Sequence, residues 1–170
     1  MKKLALFLLI IANLMAFSVD DLRSIKKANI DGDFTQSKKI SGFSSEIKSS
    51  GSFSITNDEI LWHTKKPIVS SVKITGDGVF ILQSQNWVKT SSHYDKSLFL
   101  NILNLDFDAL KGNFDFKLKG DKSAWHLTLT PKGIIKNVFK SIEISGGEFV
   151  KSVVLIESND DRTENRFFVK

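Results

Sequence analysis

The stretch Ile47-Lys48-Ser49-Ser50-Gly51-Ser52-Phe53-Ser54-Ile55-Thr56 decides the fold. Ile47, Ser49, Gly51, Phe53 and Ile55 fall on one side and Lys48, Ser50, Ser52, Ser54 and Thr56 on the other. That period of two belongs to a strand with one dry and one wet face. The same period recurs in both directions. Toward the C-terminus, Asn57-Asp58 turns the chain into Ile60 to Thr64, and Pro67 breaks it. Strands are then expected at Val69 to Thr75, Val79 to Gln83 and Trp87 to Ser91, with hairpin-like Gly76-Asp77-Gly78 and Ser84-Gln85-Asn86 between them. Toward the N-terminus, Phe34 to Ile40 alternates loosely. Before it, Asp20 can cap a short helix carrying Leu22, Ile25 and Ala28 at helical spacing, which ends near the Asp31-Gly32 break.

Beyond Ser91 the pattern turns helical. Leu98, Phe99, Ile102, Leu103 and Leu105 form an apolar stripe that Phe107 and Leu110 continue past Asp106. Strands resume at Phe114 to Lys119 and Trp125 to Thr130. A brief helical patch holds Ile134, Ile135, Val138 and Phe139, and Ser141 to Ser145, Phe149 to Glu157 and Arg162 to Val169 close the chain. Ten or eleven strands at hairpin spacing predict a mainly β protein: one large antiparallel sheet, curled because so many strands do not stay flat, with a few short helices to cover its concave face.

Composition agrees with one globular domain: 170 residues, 41% hydrophobic and 25% charged. Fourteen Phe stand against a single Tyr, so the aromatic content favours a greasy interior over a wet interface. Lys2 and Lys3 precede an apolar run from Leu4 to Ala16, and Ala16 and Ser18 supply small residues for cleavage, the pattern of a secretory signal peptide over residues 1–18. The run is too short for a hydrocarbon core of about 30 Å, which takes roughly 20 residues. A single domain over 19–170 is expected to remain, in the space outside the cytoplasm. The chain has no Cys, hence no disulfide and no cysteine to carry a lipid anchor. Without Lys2 and Lys3 there are 22 basic residues against 19 acidic, and the net charge falls from +5 to +3. That scattered excess does not suggest nucleic acid.

Chemistry is sparse. His63, His93 and His126 lie far apart with no second ligand at zinc spacing, and Ser41 to Ser54 contains no Gly-x-Ser-x-Gly elbow. The pairs Asp31/Asp33 and Asp106/Asp108 fit no calcium loop and are explained by turn and cap roles. The sequence therefore predicts no catalytic residue, no metal and no cofactor. The signal lies in apolar side chains, which composition alone would assign equally to a ligand surface or to plain packing.

Several segments resemble, in order, the LolA-type periplasmic outer-membrane lipoprotein carriers: Phe34-Thr35-Gln36, Ser50-Gly51-Ser52-Phe53, Ile60-Leu61-Trp62 followed by Pro67, Gly78, Trp125-His126-Leu127-Thr128-Leu129-Thr130-Pro131-Lys132, and Asp161-Arg162-Thr163 with Phe167. The resemblance implies an incomplete barrel under a helical lid. It also implies a monomeric periplasmic carrier of acylated lipoproteins, loaded by an inner-membrane ABC exporter and emptied into an outer-membrane acceptor. One departure is that Thr56, Asn57 and Asp58 stand where the family places an arginine that pins the lid. A related carrier of another amphiphile, or an envelope sensor of the same fold, stays open.

On this reading the lipid-binding residues are Phe34, Phe53, Ile55, Trp62, Ile74, Phe80, Phe116, Leu118, Trp125, Leu127, Leu129 and Phe167 on the sheet, with Leu98, Phe99, Ile102 and Leu103 in a movable lid. Lys65 and Lys66, beside the Trp62 strand, are the expected partner-docking residues.

Overall fold

In the computed structural model, residues 17–25, 29–56, 58–90 and 101–170 are described. Eleven strands follow one another: β1 (Ile30–Lys39), β2 (Glu46–Ile55), β3 (Glu59–Lys66), β4 (Ser70–Thr75), β5 (Gly78–Gln83), β6 (Asn86–Lys89), β7 (Phe114–Gly120), β8 (Trp125–Pro131), β9 (Phe139–Gly146), β10 (Val150–Glu157) and β11 (Arg162–Val169). All belong to one antiparallel sheet in the order β6-β5-β4-β3-β2-β1-β11-β10-β9-β8-β7. Two meanders thus run outward from a central seam where the first strand pairs with the last, Phe34 opposite Phe167. The outermost strands β6 and β7 do not pair with each other, so the barrel is not closed.

Alternation assigns the faces. Ile30, Ile55, Ile60 and Ile74 stand opposite one another across four strands, and so do Gly32, Phe53, Trp62 and Val72. In the other meander the matching rows are Phe116, Leu129, Ile142, Leu155 and Leu118, Leu127, Ile144, Val153. Directly paired residues of an antiparallel sheet point to the same side. All these side chains therefore share one apolar face.

The sequence reading places a break at Asp31-Gly32, whereas both residues lie inside β1, opposite Ser54 and Phe53. The glycine serves packing: a Cβ at Gly32 would lie 2.3 Å from the Phe168 carbonyl oxygen on β11 and 2.8 Å from Cε1 of Phe53. The helix expected from Asp20 to that break is a shorter 3₁₀ turn, Val19–Ser24. It starts at Ser18, whose backbone N–H and hydroxyl both donate to the Asp21 carboxylate, at 2.8 and 2.9 Å. Ala28 lies outside the described residues.

Residues 101–103 are helical, and after Leu105, whose φ is 48°, Asp106 caps α1 (Phe107–Leu110) by accepting from the Ala109 N–H at 3.1 Å. A second 3₁₀ turn, Gly133–Asn137, joins β8 to β9. Leu22, Ile102, Leu103, Leu105, Phe107 and Leu110 share one core with the strand residues Phe34, Ile60, Leu127, Leu129, Ile142 and Ile144. Segments this short take their stability from the sheet they cover.

Candidate functional site

The register gathers four of the expected residues into an aromatic cluster at the seam. The rings of Phe34 and Trp62 have centroids 3.9 Å apart, and Phe167 meets Phe53 edge-on at 5.3 Å and Trp62 at 6.0 Å. Such edge and offset contacts are the favourable ones for aromatic quadrupoles. The Phe34 ring lies over Gly51, whose added Cβ would be 2.9 Å from Phe34 Cε1. Two glycines on facing strands thus make room for two phenylalanine rings, Phe34 over Gly51 and Phe53 over Gly32.

Ile55 and Ile74 extend this cluster along the next row. In the other meander Trp125, Leu127 and Leu129 are buried, while Phe116 and Leu118 are half-buried. Trp125 is held by its indole N–H, which donates to the Gly147 carbonyl at 2.8 Å. Ile102 and Leu103 join the core from the helical segment, and Phe107 meets Phe116 edge-on at 5.5 Å. Leu98 and Phe99 lie outside the described residues.

Phe80 does not join the set. Val79 and Ile81 stand opposite Ile74 and Val72 and take the apolar-face positions, so Phe80, opposite Lys73, points the other way. There the Lys73 ammonium sits 5.5 Å from the Phe80 ring centroid and 4.8 Å from that of Trp87. Sequence reading also passed over Ile142, Ile144, Val153 and Leu155, which complete the face on β9 and β10. Their signal was the alternation in Ser141 to Ser145, and only the pairing with Leu127 and Leu129 says which side it faces.

Along β1 and β11 the same face changes character. Beyond Phe34 and Phe167 come Gln36 and Asn165, then Lys38 and Thr163. Gln36 donates to Asn165 Oδ1 at 2.8 Å and accepts from the Ser49 hydroxyl at 3.2 Å. The Lys38 ammonium lies 3.1 Å from Glu157 Oε1 and 3.8 Å from Asp161 Oδ2. The face is therefore apolar over most of its extent and hydrogen-bonding at one end. No buried side-chain polar atom among the described residues lacks a partner.

The helical segments are tied to each other. Arg23 of the first 3₁₀ turn bonds Asp20 and Asp108, each at 2.9 Å, and its guanidinium lies 5.9 Å from the Phe107 ring centroid. Hydrogen bonds to Asp108 and then Asp20 push the guanidinium above its usual range. Arg23 and then Lys111 hold the Asp108 carboxyl below its own.

On the opposite face Lys65 approaches Asp33 at 3.9 Å. Lys66, Lys48, Arg162 and Arg166 line a groove of about 860 Å³ together with Glu46, Glu164 and several hydroxyls. His63 Nδ1 and Ser71 Oγ are 2.8 Å apart as a cross-strand pair, with no acidic side chain bonded to the ring among the described residues. No group of three acidic or histidine side chains among those residues could hold a metal.

No protein-family model matches the chain, and no curated protein matches it. Among solved structures it is similar to a LolA superfamily protein from Nitrosomonas europaea, with 7% sequence identity and a TM-score of 0.49 over 88% of this chain and 89% of that one.

Proposed function

We propose that the chain is a periplasmic carrier that shields the acyl chains of lipoproteins and ferries them from the inner to the outer membrane. It would receive them from an ABC exporter and hand them to an outer-membrane acceptor. The observation that carries this reading is the apolar face of an unclosed sheet, on which Trp62, Phe116 and Leu118 keep part of their surface accessible. The order of the LolA-type segments along the sequence supports it. So does the gradient on the face itself, where aromatic rings would hold a chain and the Gln36, Asn165 and Ser49 end would receive its polar head.

The energetics require such shielding. An acyl chain of about fourteen methylenes at roughly 0.8 kcal/mol each costs about 11 kcal/mol in water. Dispersion contacts from Phe, Leu, Ile and Trp have no fixed direction, so a chain can slide in and out. In this reading residues 1–18 are the export signal and the carrier works as a monomer. Ile102 and Leu103, with Leu98 and Phe99, form a cover that an acyl chain displaces from the sheet, exchanging one apolar partner for another. Lys65 and Lys66 guide docking to the membrane-bound partners.

The test is direct. The protein recovered from the periplasm is titrated with a hydrophobic fluorophore under native conditions, and its co-purifying molecules are identified by mass spectrometry. Dye uptake that an acylated peptide displaces, with acylated cargo in the spectrum, supports the carrier. A native protein that leaves the dye dark and carries no acylated molecule ends the reading.

A further inference from the structure

Strand directions give the sheet two ends. The β1–β2, β3–β4, β5–β6, β8–β9 and β10–β11 connections lie at one end, and the β2–β3, β4–β5, β7–β8 and β9–β10 connections at the other. Nine large apolar side chains among the described residues are exposed, and six of them, Phe43, Ile47, Ile68, Val69, Ile134 and Val138, stand in or beside the β1–β2, β3–β4 and β8–β9 connections of the first end with 42% to 78% of their surface accessible. Single exposed apolar residues are ordinary, but concentration at one end is not. Turn chemistry also gives no reason for Ile68-Val69 or Ile134 at such positions, since turns select Gly, Pro, Asn, Asp and Ser.

Charge follows the same division. The segments 38–48, 65–69 and 132–140 that carry these side chains hold eight Lys and one acidic residue, Glu46, and the β10–β11 connection at the same end adds Asp160 and Asp161, so this end keeps a net positive excess. The turns at the opposite end hold Asp58, Asp77, Asp121 and Glu148 against Lys122. At the first end Lys38, Lys65, Lys132 and Lys140 are paired with acids. Lys39, Lys48, Lys66 and Lys136 have no acidic partner among the described residues.

We propose that this end of the sheet docks on a bilayer rich in anionic lipid, its apolar tips inserting at headgroup level and the unpaired lysines lying against lipid phosphate. The arrangement favours a bilayer over a protein surface. The tips come from separate hairpins, with the polar β10–β11 turn between them, and make no continuous patch of the kind a protein interface buries. A membrane interface accepts separate insertions, and lysine stems beside them reach up to the headgroups. This goes beyond the carrier reading, stands without it, and assigns Lys66, which that reading gives to protein partners, to lipid phosphate instead.

Vesicle co-sedimentation tests the proposal. The protein recovered from the periplasm is mixed with phosphatidylethanolamine/phosphatidylglycerol vesicles or with phosphatidylcholine vesicles, at low and raised salt. Binding is expected to the anionic vesicles, weakened by salt. It should fall about tenfold in an Ile68→Ser/Val69→Ser variant, by the loss of buried apolar area, and stay unchanged in Phe168→Ser, an exposed position on the sheet away from this end. The substituted side chains are exposed, and unchanged circular dichroism would show that the variants fold. Absence of binding to anionic vesicles overturns the proposal, as does equal binding by the Ile68→Ser/Val69→Ser variant or an equal loss in Phe168→Ser. Crosslinking of this end to an envelope protein without vesicle binding makes it a protein interface and also overturns it. Acyl-probe uptake in vesicle-free solution judges the carrier reading separately, so either can fail alone.

Discussion

Arg23 and Asp108, 85 residues apart in sequence, are joined at 2.9 Å. The contact fastens the first 3₁₀ turn to α1, and Lys111 adds a second cation to Asp108 at 3.2 Å. Arg23 thus ties together two short segments whose apolar side chains, Leu22, Phe107 and Leu110, belong to the core.

Its pH dependence has a definite sign. The Asp108 carboxyl is held below its usual range, first by Arg23 and then by Lys111. A depressed folded-state value means that the contribution is complete above the unfolded value of about 4 and is lost as pH falls through the lowered folded value. Urea midpoints of the wild type and Asp108→Asn should therefore differ at neutral pH and converge in acid. Both groups are largely exposed, so raised salt should also narrow the difference. A difference that persists unchanged at acid pH would remove the ion pair as its cause.

Gly51 is predicted to be intolerant of any side chain. A Cβ there would lie 1.9 Å from the His63 carbonyl oxygen and 2.9 Å from the Phe34 ring. Gly51→Ala should cost about 1–3 kcal/mol, the usual penalty of overpacking, because the β2–β3 pairing must shift. Gly76→Ala meets open space and should change stability by no more than about 1 kcal/mol. Paired denaturation curves check both.

These glycines mark where sequence reading reaches its limit. The alternation in Ile47 to Thr56 was strong enough to give β2 and its faces, because only one parity is apolar. Val79-Phe80-Ile81-Leu82 is apolar at both parities, so nothing local says which side Phe80 takes, and the pairing with Ile74 and Val72 decides it. Asp31-Gly32 reads as a turn because turns favour those residues, whereas here the glycine accommodates a ring from the neighbouring strand. The polar end of the face needed the pairing of β1 with β11, a contact between the first and last strands that no local period encodes.

Trp125 ties β8 to the β9–β10 turn through its buried bond to the Gly147 carbonyl. Trp125→Phe keeps most of the apolar volume but leaves that carbonyl without the indole donor. The expected loss is about 1–3 kcal/mol, the cost of a buried polar group deprived of its partner. A variant as stable as the wild type would mean that water or a backbone shift replaces the bond.

The three tryptophans would respond to an acyl chain in different ways. Trp62 lies in the seam cluster, 3.9 Å from Phe34 and 6.0 Å from Phe167, and is half-buried on the apolar face. Trp87 sits on the opposite face beside Lys73, and Trp125 is already buried. An acyl chain laid on the face would remove water from Trp62 and leave Trp87 as it is. Adding a long-chain acylated peptide should therefore shift the emission to the blue, and Trp62→Phe should abolish most of that shift while Trp87→Phe preserves it. Phenylalanine at position 62 keeps an aromatic ring against Phe34, so uptake measured with a separate fluorescent acyl probe should fall only modestly. If Trp87→Phe removed the shift and Trp62→Phe did not, the chain would be lying on the polar face, and the carrier mechanism built on the aromatic seam would be wrong.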